Sequence, residues 1–369
     1  MNPIPLVDLR AQHAAVAGEV AEGWQQVLAR TAFIDGPQVA AFESEYAAFI
    51  GTRHCVGMAN GTDAIEIALR ALGVGAGDEC ILPANTFIAT AEAVCRAGAT
   101  PILVDCADDG TYLIDAAAVE AAMTPRTRAI IPVHLYGQAA PVELLLPLAE
   151  RAGAVVVEDA AQSQGARRHG VGAGALGRAA ATSFYPGKNL GAYGDAGAAL
   201  TDSDEVAARM RMIGNHGSPR KYEHQIMGIN SRLDTLQAVV LSAKLRRLAD
   251  WNAARRAAAA RYDALLADLD EVARPRTLDG NDHVWHLYVV RVPDRDRVLK
   301  ELQAAGIGAG IHYPVPIHLT EAFAGLGHTE GTFPVTEQAS GELLSLPLFA
   351  EITDEQQERV AGALKSALR

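Results

Sequence analysis

Cysteine is scarce: four residues in 369, at positions 55, 80, 95 and 106. None of the four stands in a Cys-x-x-Cys spacing and all lie in apolar stretches, so reduced, buried thiols are expected rather than bridges. Positive charge is also short, with 32 Lys and Arg against 44 Asp and Glu and a formal net charge of −12. That balance argues against a nucleic-acid coat, which needs a basic face, but leaves room for an anionic small ligand held by a local cluster of donors. No uninterrupted apolar run approaches the ~18 residues of a membrane span. The start, MNPIPLVDLRAQ, has no charged-then-apolar leader pattern, so a cytoplasmic protein is expected. The histidines show no His-Glu-x-x-His spacing and no other tight ligand set, so no metal is expected. Internal repeats and low-complexity linkers are missing too; AARRAAAARY is alanine-rich but helical.

What remains is an ordinary globular composition, 49% hydrophobic and 21% charged, in a chain long enough for two domains. From about residue 55 to 215, short apolar runs alternate with amphipathic stretches. ECILP, PILVD, RAIIPVH, AVVVED, AATSFY and GAALT read as strands, and DAIEIALRAL, TFIATAEAVCRAG and the segments near 115–123 and 142–152 as helices. Apolar strands separated by helices predict an α/β fold with a mostly parallel sheet covered on both faces. A long helical region over about 233–269 follows. Beyond it HVWHLYVVRV reads as a strand, RDRVLKELQAAG as a helix and GIGAGIHYP as a short strand entering a proline turn. The expected organisation is a large domain with an N-terminal arm over residues 1–245 and a smaller C-terminal α+β domain over 246–369.

Two glycine motifs are set aside. Gly172, Gly174 and Gly177 satisfy Gly-x-Gly-x-x-Gly, yet they precede a strand instead of following one, so GAGALG reads as a turn. PGKN lacks both the upstream glycine and the following Ser or Thr of a phosphate loop. Three other segments carry chemistry. VVVEDAAQSQG places Glu158 and Asp159 at the carboxyl end of a buried strand, where open α/β sheets bind ligands, with Gln162 just beyond. ANGTDA places Gly61 and Thr62 at a helix N-terminus suited to phosphate; an ordinary cap is the plainer alternative. Phe87 opens another helix and suits either the core or a planar ligand. Finally, SFYPGKNLGAYGD holds Lys188, the one basic side chain between Arg178 and Arg209. Phosphate donors with Ser183, a carboxylate for a ring nitrogen, an aromatic for a ring face and an isolated amine for a carbonyl together call for pyridoxal 5'-phosphate. Lys188 stands apart from acids in sequence because an amine must lose its proton to react, and a carboxylate beside it would oppose that.

At this point the chain resembles the DegT/StrS family of sugar-nucleotide aminotransferases of fold type I, from PLVDLRAQ to LSLPLF, through NGTDA, VEDAAQS, SFYPGKNLGAYGDAGA and GINSRLDTLQA. The resemblance implies that Lys188 joins the cofactor aldehyde as an imine and Asp159 pairs with the pyridine nitrogen. It implies that Gln162 approaches the ring hydroxyl, that Phe87 stacks on the ring, and that Gly61, Thr62 and Ser183 hold the phosphate. It further implies a homodimer with shared sites, Asn230 reaching the neighbouring protomer's cofactor phosphate and Arg232 lying near anionic substrate groups. KYEHQIMGINSRLD, VWHLYVVR and GIHYPVPIHL resemble the branch that aminates C3 of 3-keto-6-deoxyhexoses carried on dTDP. By that likeness Tyr185, Lys221, Tyr222, His312 and Tyr313 are substrate-side candidates, L-glutamate is the amino donor and pyridoxamine phosphate the intermediate cofactor form. His216 stands where that branch usually carries tyrosine. A 4-keto sugar nucleotide or a keto-cyclitol is the alternative substrate; a regulatory or binding protein on the same fold is the alternative from another class.

Overall fold

A computed structural model describes residues 2–369. Helices α1 (Leu9–Arg30) and α2 (Pro37–Ile50) precede β1 (His54–Met58), a strand not anticipated from the sequence. The alternating core follows as α3 (Gly61–Ala71), β2 (Glu79–Pro83), α4 (Ile88–Arg96), β3 (Thr100–Val104), α5 (Ala116–Ala122), β4 (Thr127–Ile130), α6 (Val142–Ala152) and β5 (Val155–Asp159). After the two-residue strands β6 (Arg167–Arg168) and β7 (Val171–Gly172) come β8 (Ala179–Ser183), β9 (Gly197–Thr201) and α7 (Asp204–Gly214).

Seven strands form one sheet in the order β1-β9-β8-β5-β4-β2-β3. From β3 to β8 neighbours run parallel, whereas β9 pairs antiparallel with both β8 and β1. The sheet is therefore mostly parallel with an antiparallel edge. The short connection between β8 and β9, which holds Lys188, contains no crossover helix, and parallel pairing would demand one. β2 is buried along its whole length and β5 from Val156 onward, as expected of strands covered on both faces. The carboxyl ends of β2, β5 and β8 share one edge, and that edge carries the site.

The second half is built on α8 (Thr235–Leu265), then β10 (Asn281–Asp282), β11 (Tyr288–Arg291), α9 (Arg295–Ala304), α10 (Pro334–Glu342), β12 (Leu343–Leu346) and α11 (Asp354–Ala367). α8 joins two cores: Leu241, Leu245 and Leu248 pack with Phe42, Tyr46 and Phe184, while Ala258, Ala259 and Tyr262 pack with Tyr288, Val360 and Leu364. Ile4 lies in the latter core, so the N-terminal arm reaches across to the C-terminal half. Two strand expectations shrink. HVWHLYVVRV is extended and paired only from Tyr288 to Arg291, because Val284 to Leu287 instead follow the 136–139 segment. GIGAGIHYP is no strand; it forms two isolated bridges, Ile307 with Ile4 of the arm and Gly310 with Ser345. Cys95 corrects the thiol expectation: it is exposed on α4, while Cys55, Cys80 and Cys106 are buried and free. Helical periodicity turns position 95 outward although its neighbours Ala93 and Val94 face the core. No helix among the described residues is long and apolar enough to cross a membrane.

Lys244 of α8 is a buried cation whose partners are neutral oxygens. Its Nζ donates to Gln12 Oε1 at 2.7 Å and to the Gly191 carbonyl at 2.6 Å, and sits 4.8 Å from the centre of the Tyr193 ring. Burial pulls its pKa from the ordinary 10.5 to about 8. Between those values the unfolded chain binds more protons than the folded one, so folding gains stability as pH rises. Urea titrations of wild type and Lys244→Met should show the wild type gaining on the variant, by on the order of 2 kcal/mol, from about pH 8 to 10.5. A gap that stays constant with pH would refute the assignment.

Candidate active site

The loop after β5 begins the site. Asp159, 5% exposed, ends the strand; its Oδ1 accepts the Ala161 N–H at 3.1 Å and its Oδ2 accepts the Thr90 hydroxyl at 2.7 Å. Gln162 is fixed by its flanks. Its Oε1 accepts the Tyr136 N–H at 2.6 Å and its Nε2 donates to Tyr313 Oη at 3.0 Å, so the amide presents N–H groups to the cavity.

At the second strand tip, Asn60 caps α3, its Oδ1 accepting the Asp63 N–H at 2.8 Å. The plain cap is real, yet it uses only one donor. Helix geometry leaves the N–H groups of Gly61 and Thr62 without intrahelical partners, and both residues line the cavity. A Cβ on residue 61 would come within 2.6 Å of Ser183 Cβ. Glycine there lets Ser183, at the end of β8, approach the helix terminus.

Lys188 follows Ser183 on the turn between β8 and β9, its N–H donating to the Tyr185 carbonyl at 2.9 Å. Burial lowers its pKa from 10.5 to about 8, and the opposing charge of Asp159 limits the fall. An acid 29 positions upstream thus faces the lysine, which corrects the expectation that isolation in sequence keeps carboxylates away. Two histidines accompany it. His286 Nδ1 pairs with Asn189 Oδ1 at 3.3 Å and His312 Nδ1 with Ser345 Oγ at 2.8 Å. Burial first, then the Lys188 charge, holds His312 down to about 4 and His286 well below its ordinary value. Both are neutral imidazoles. Across the cavity Phe87, 52% exposed, meets Tyr313 at 5.3 Å between ring centres, tilted by 38°.

Gly61, Thr62, Phe87, Asp159, Gln162, Ser183, Tyr185, Lys188, His312 and Tyr313 all line this one cavity of about 460 Å³. Lys221, Tyr222, Asn230 and Arg232 do not. Tyr222 is 82% exposed with Lys221 Nζ 5.1 Å from its ring centre. Arg232 donates to Asn215 Oδ1 at 3.3 Å and lines a separate cavity of about 490 Å³ with Glu43 and Arg211. Sequence reasoning missed Thr90, His286 and the arm residues Leu6 and Val7, which also line the Lys188 cavity. A polar residue inside the apolar stretch VWHLYVV was the one available signal for His286. Leu6 and Val7 gave none, because an arm folding back from far away leaves no local pattern.

The residues fit pyridoxal phosphate: a cradle kept open by Gly61 beside two free N–H groups, a buried carboxylate, and a desolvated amine in one cavity. On a sheet of this order, that pairing of amine and strand-tip acid defines a pyridoxal-phosphate-dependent aminotransferase of fold type I, with a large α/β domain and a smaller C-terminal α+β domain. Comparison with known proteins agrees. The chain belongs to the DegT/DnrJ/EryC1/StrS aminotransferase family, whose model matches residues 15–365. It is 46% identical over 363 residues (98% of this chain and 99% of the relative) to a Saccharopolyspora erythraea protein called erythromycin biosynthesis sensory transduction protein EryC1. It is 45% identical over 362 residues (98% of this chain and 95% of the relative) to the dTDP-3-amino-3,4,6-trideoxy-alpha-D-glucose transaminase of Streptomyces venezuelae. The crystal structure of S. venezuelae DesV in complex with a ketimine intermediate superposes with a TM-score of 0.97, at 44% identity and covering 100% of both chains.

Proposed function

We propose that this aminotransferase moves the amino group of L-glutamate to the C3 ketone of a dTDP-linked 3-keto-deoxyhexose. The observation that carries the chemistry is a lowered Lys188 amine and a fixed Asp159 carboxylate facing one cavity. The C3 position and the dTDP carrier rest on likeness to the S. venezuelae transaminase. Bound pyridoxal phosphate supplies a carbon that exchanges an amino group and a ring that takes up electron density. Asp159 would hold the ring nitrogen in its charged form. The Gly61 and Thr62 N–H groups and Ser183 Oγ would hold the phosphate, and Gln162 Nε2 would donate to the ring hydroxyl. Phe87 would cover one ring face. Lys188 Nζ, neutral in a usable fraction near pH 8, would take the proton from the donor's α-carbon and deliver it to the cofactor carbon that receives the nitrogen, then run the same transfer in reverse toward the sugar's C3. His312, Tyr313 and Tyr185 line the side open to the sugar.

A second copy of the chain completes the site in this reading. Asn230 and Arg232 lie outside the Lys188 cavity, next to the exposed apolar side chains Phe33, Ile34, Ile226 and Met227 on segments tied to them by the Ile34–Asp234 and Asn215–Asn230 bridges. Buried against a partner, this surface would bring Asn230, Arg232, Lys221 and Tyr222 to the neighbour's cofactor and nucleotide. Local cations there would let an acidic protein receive an anionic substrate.

The test is transamination of dTDP-3-keto and dTDP-4-keto sugars side by side with glutamate. Product from the 3-keto sugar with parallel double-reciprocal lines is expected. Equal or better use of the 4-keto sugar would move the regiochemistry, and intersecting lines would overturn the shared-site scheme. Absence of turnover with any keto sugar would favour the binding-protein reading that the regulatory name of the Saccharopolyspora relative suggests.

A further inference from the structure

Asp159 has a support that the reaction scheme does not use. Thr90, in the first turn of α4, is 1% exposed, and Thr86, just ahead of that helix, is 4% exposed. The Thr90 hydroxyl donates to Asp159 Oδ2 at 2.7 Å, and the Thr86 and Thr90 hydroxyl oxygens lie 2.9 Å apart. A hydroxyl has a single proton. Since that of Thr90 goes to the carboxylate, Thr86 must be the donor within the pair, so the relay runs Thr86 to Thr90 to Asp159. The other oxygen, Oδ1, is held by the Ala161 N–H at 3.1 Å. With one donor on each oxygen, the carboxylate cannot rotate freely.

Rotation would matter here. The Asp159 charge reaches Lys188, yet no ion pair within 4.0 Å joins the two among the described residues. In a low-dielectric cavity such a pair is strongly attractive. If it closed, it would fill the space needed by a ring and return Lys188 to its charged form.

We propose that Thr90, steadied by Thr86, is a positioning residue that keeps the Asp159 carboxylate on the ring-nitrogen side of the cavity and away from Lys188. The inference rests on the reading of Asp159 given above and deepens it. In this proposal Thr90, although it lines the cavity, acts through the acid.

The experiment compares wild type with Thr90→Val, Thr90→Ser, Thr86→Val and Asp159→Asn. Cofactor-free proteins are titrated with pyridoxal phosphate, kcat and sugar KM are measured separately, and thermal midpoints are recorded. Valine keeps the shape and removes the hydroxyl. Thr90→Val should raise the Kd for pyridoxal phosphate about tenfold, the scale of a lost hydrogen bond to a charged group. It should lower kcat while leaving the sugar KM unchanged. Thr90→Ser, which retains the donor, should restore most of the affinity, and Thr86→Val should weaken binding in the same direction by less. If Thr90→Val does not fold, the Thr86→Val and Thr90→Ser arms decide alone: both binding as tightly as wild type, or serine binding worse than Thr86→Val, overturns the proposal. Wild-type affinity in Thr90→Val beside weakened Asp159→Asn also overturns it and leaves the role of Asp159 standing. Wild-type affinity in Asp159→Asn would instead bring down the assignment of the acid itself.

Discussion

Replacing Lys188 with alanine should lower kcat with glutamate and the keto sugar by at least about a thousandfold, the range expected for removing a positioned general acid–base group, while leaving the thermal midpoint of the cofactor-free protein nearly unchanged. The two halves of this expectation have separate causes. Loss of activity follows because the amine lies in the cavity with its proton poised for exchange. Its pKa of about 8 comes from burial, partly offset by Asp159. The neighbouring imidazoles cannot replace it: His312 is held to about 4 and His286 well below its usual value, and each has Nδ1 committed to Ser345 or Asn189. Retention of stability follows because Lys188 Nζ makes no hydrogen bond or ion pair among the described residues; only its backbone N–H, kept in the variant, ties the turn. The visible spectrum of the cofactor-loaded protein should change as well. An unchanged spectrum, or activity within tenfold of wild type, would remove Lys188 from its assigned place.

That separation explains why much of the site was legible in the sequence. Groups that serve a ligand stand out where local structure does not require them. Lys188 sits among turn-formers without charged company, and Asp159 and Gln162 follow three valines that already account for a strand. Each lies in the chain next to the element that aims it, so motif and position are read together. Groups placed by tertiary contact gave no such signal. Thr90 looks like any helix residue in TFIATAE, and its importance appears only when β5 brings Asp159 against α4. The antiparallel edge was hidden for a similar reason: β1 lies far upstream of β9, and no local pattern tells that the two pair. GIGAGIHYP has strand-like composition, but the Gly310 bridge to Ser345 ends there and the chain turns to line the cavity with His312 and Tyr313.

Glu158 shows the opposite case, a residue in plain view in VED whose role the sequence concealed. Removing its carboxylate in Glu158→Ala should cost about 4 kcal/mol or more, which is a large part of the 5–15 kcal/mol that stabilises a typical domain. Both Glu158 and His134 have no side-chain exposure. The Ala140 N–H donates to His134 Nδ1 at 3.0 Å, so Nε2 carries the ring proton and donates to Glu158 Oε2 at 2.7 Å. The N–H of Gly174 donates to the same oxygen at 2.7 Å, and those of Leu176 and Gly177 to Oε1 at 2.8 and 2.7 Å. Four donors converge on one carboxylate, and alanine would leave all of them without that acceptor, those of His134 and Gly174 fully buried and those of Leu176 and Gly177 half-buried, at a cost of about 1–3 kcal/mol for each buried one before relaxation. The Gly-x-Gly-x-x-Gly spacing thus does form an anion-binding turn, with Gly174 in the left-handed region at φ +106°. Its anion is the protein's own side chain. Glutamine is no rescue, because its NH₂ must point at an N–H donor on one side. Cofactor affinity should fall together with stability, since the His134 N–H donates to the Asp159 carbonyl at 3.0 Å and ties this cluster to the strand tip. A Glu158→Ala protein whose urea midpoint and cofactor Kd match wild type would mean that water can enter and satisfy these donors, and the glycine turn would then need another explanation.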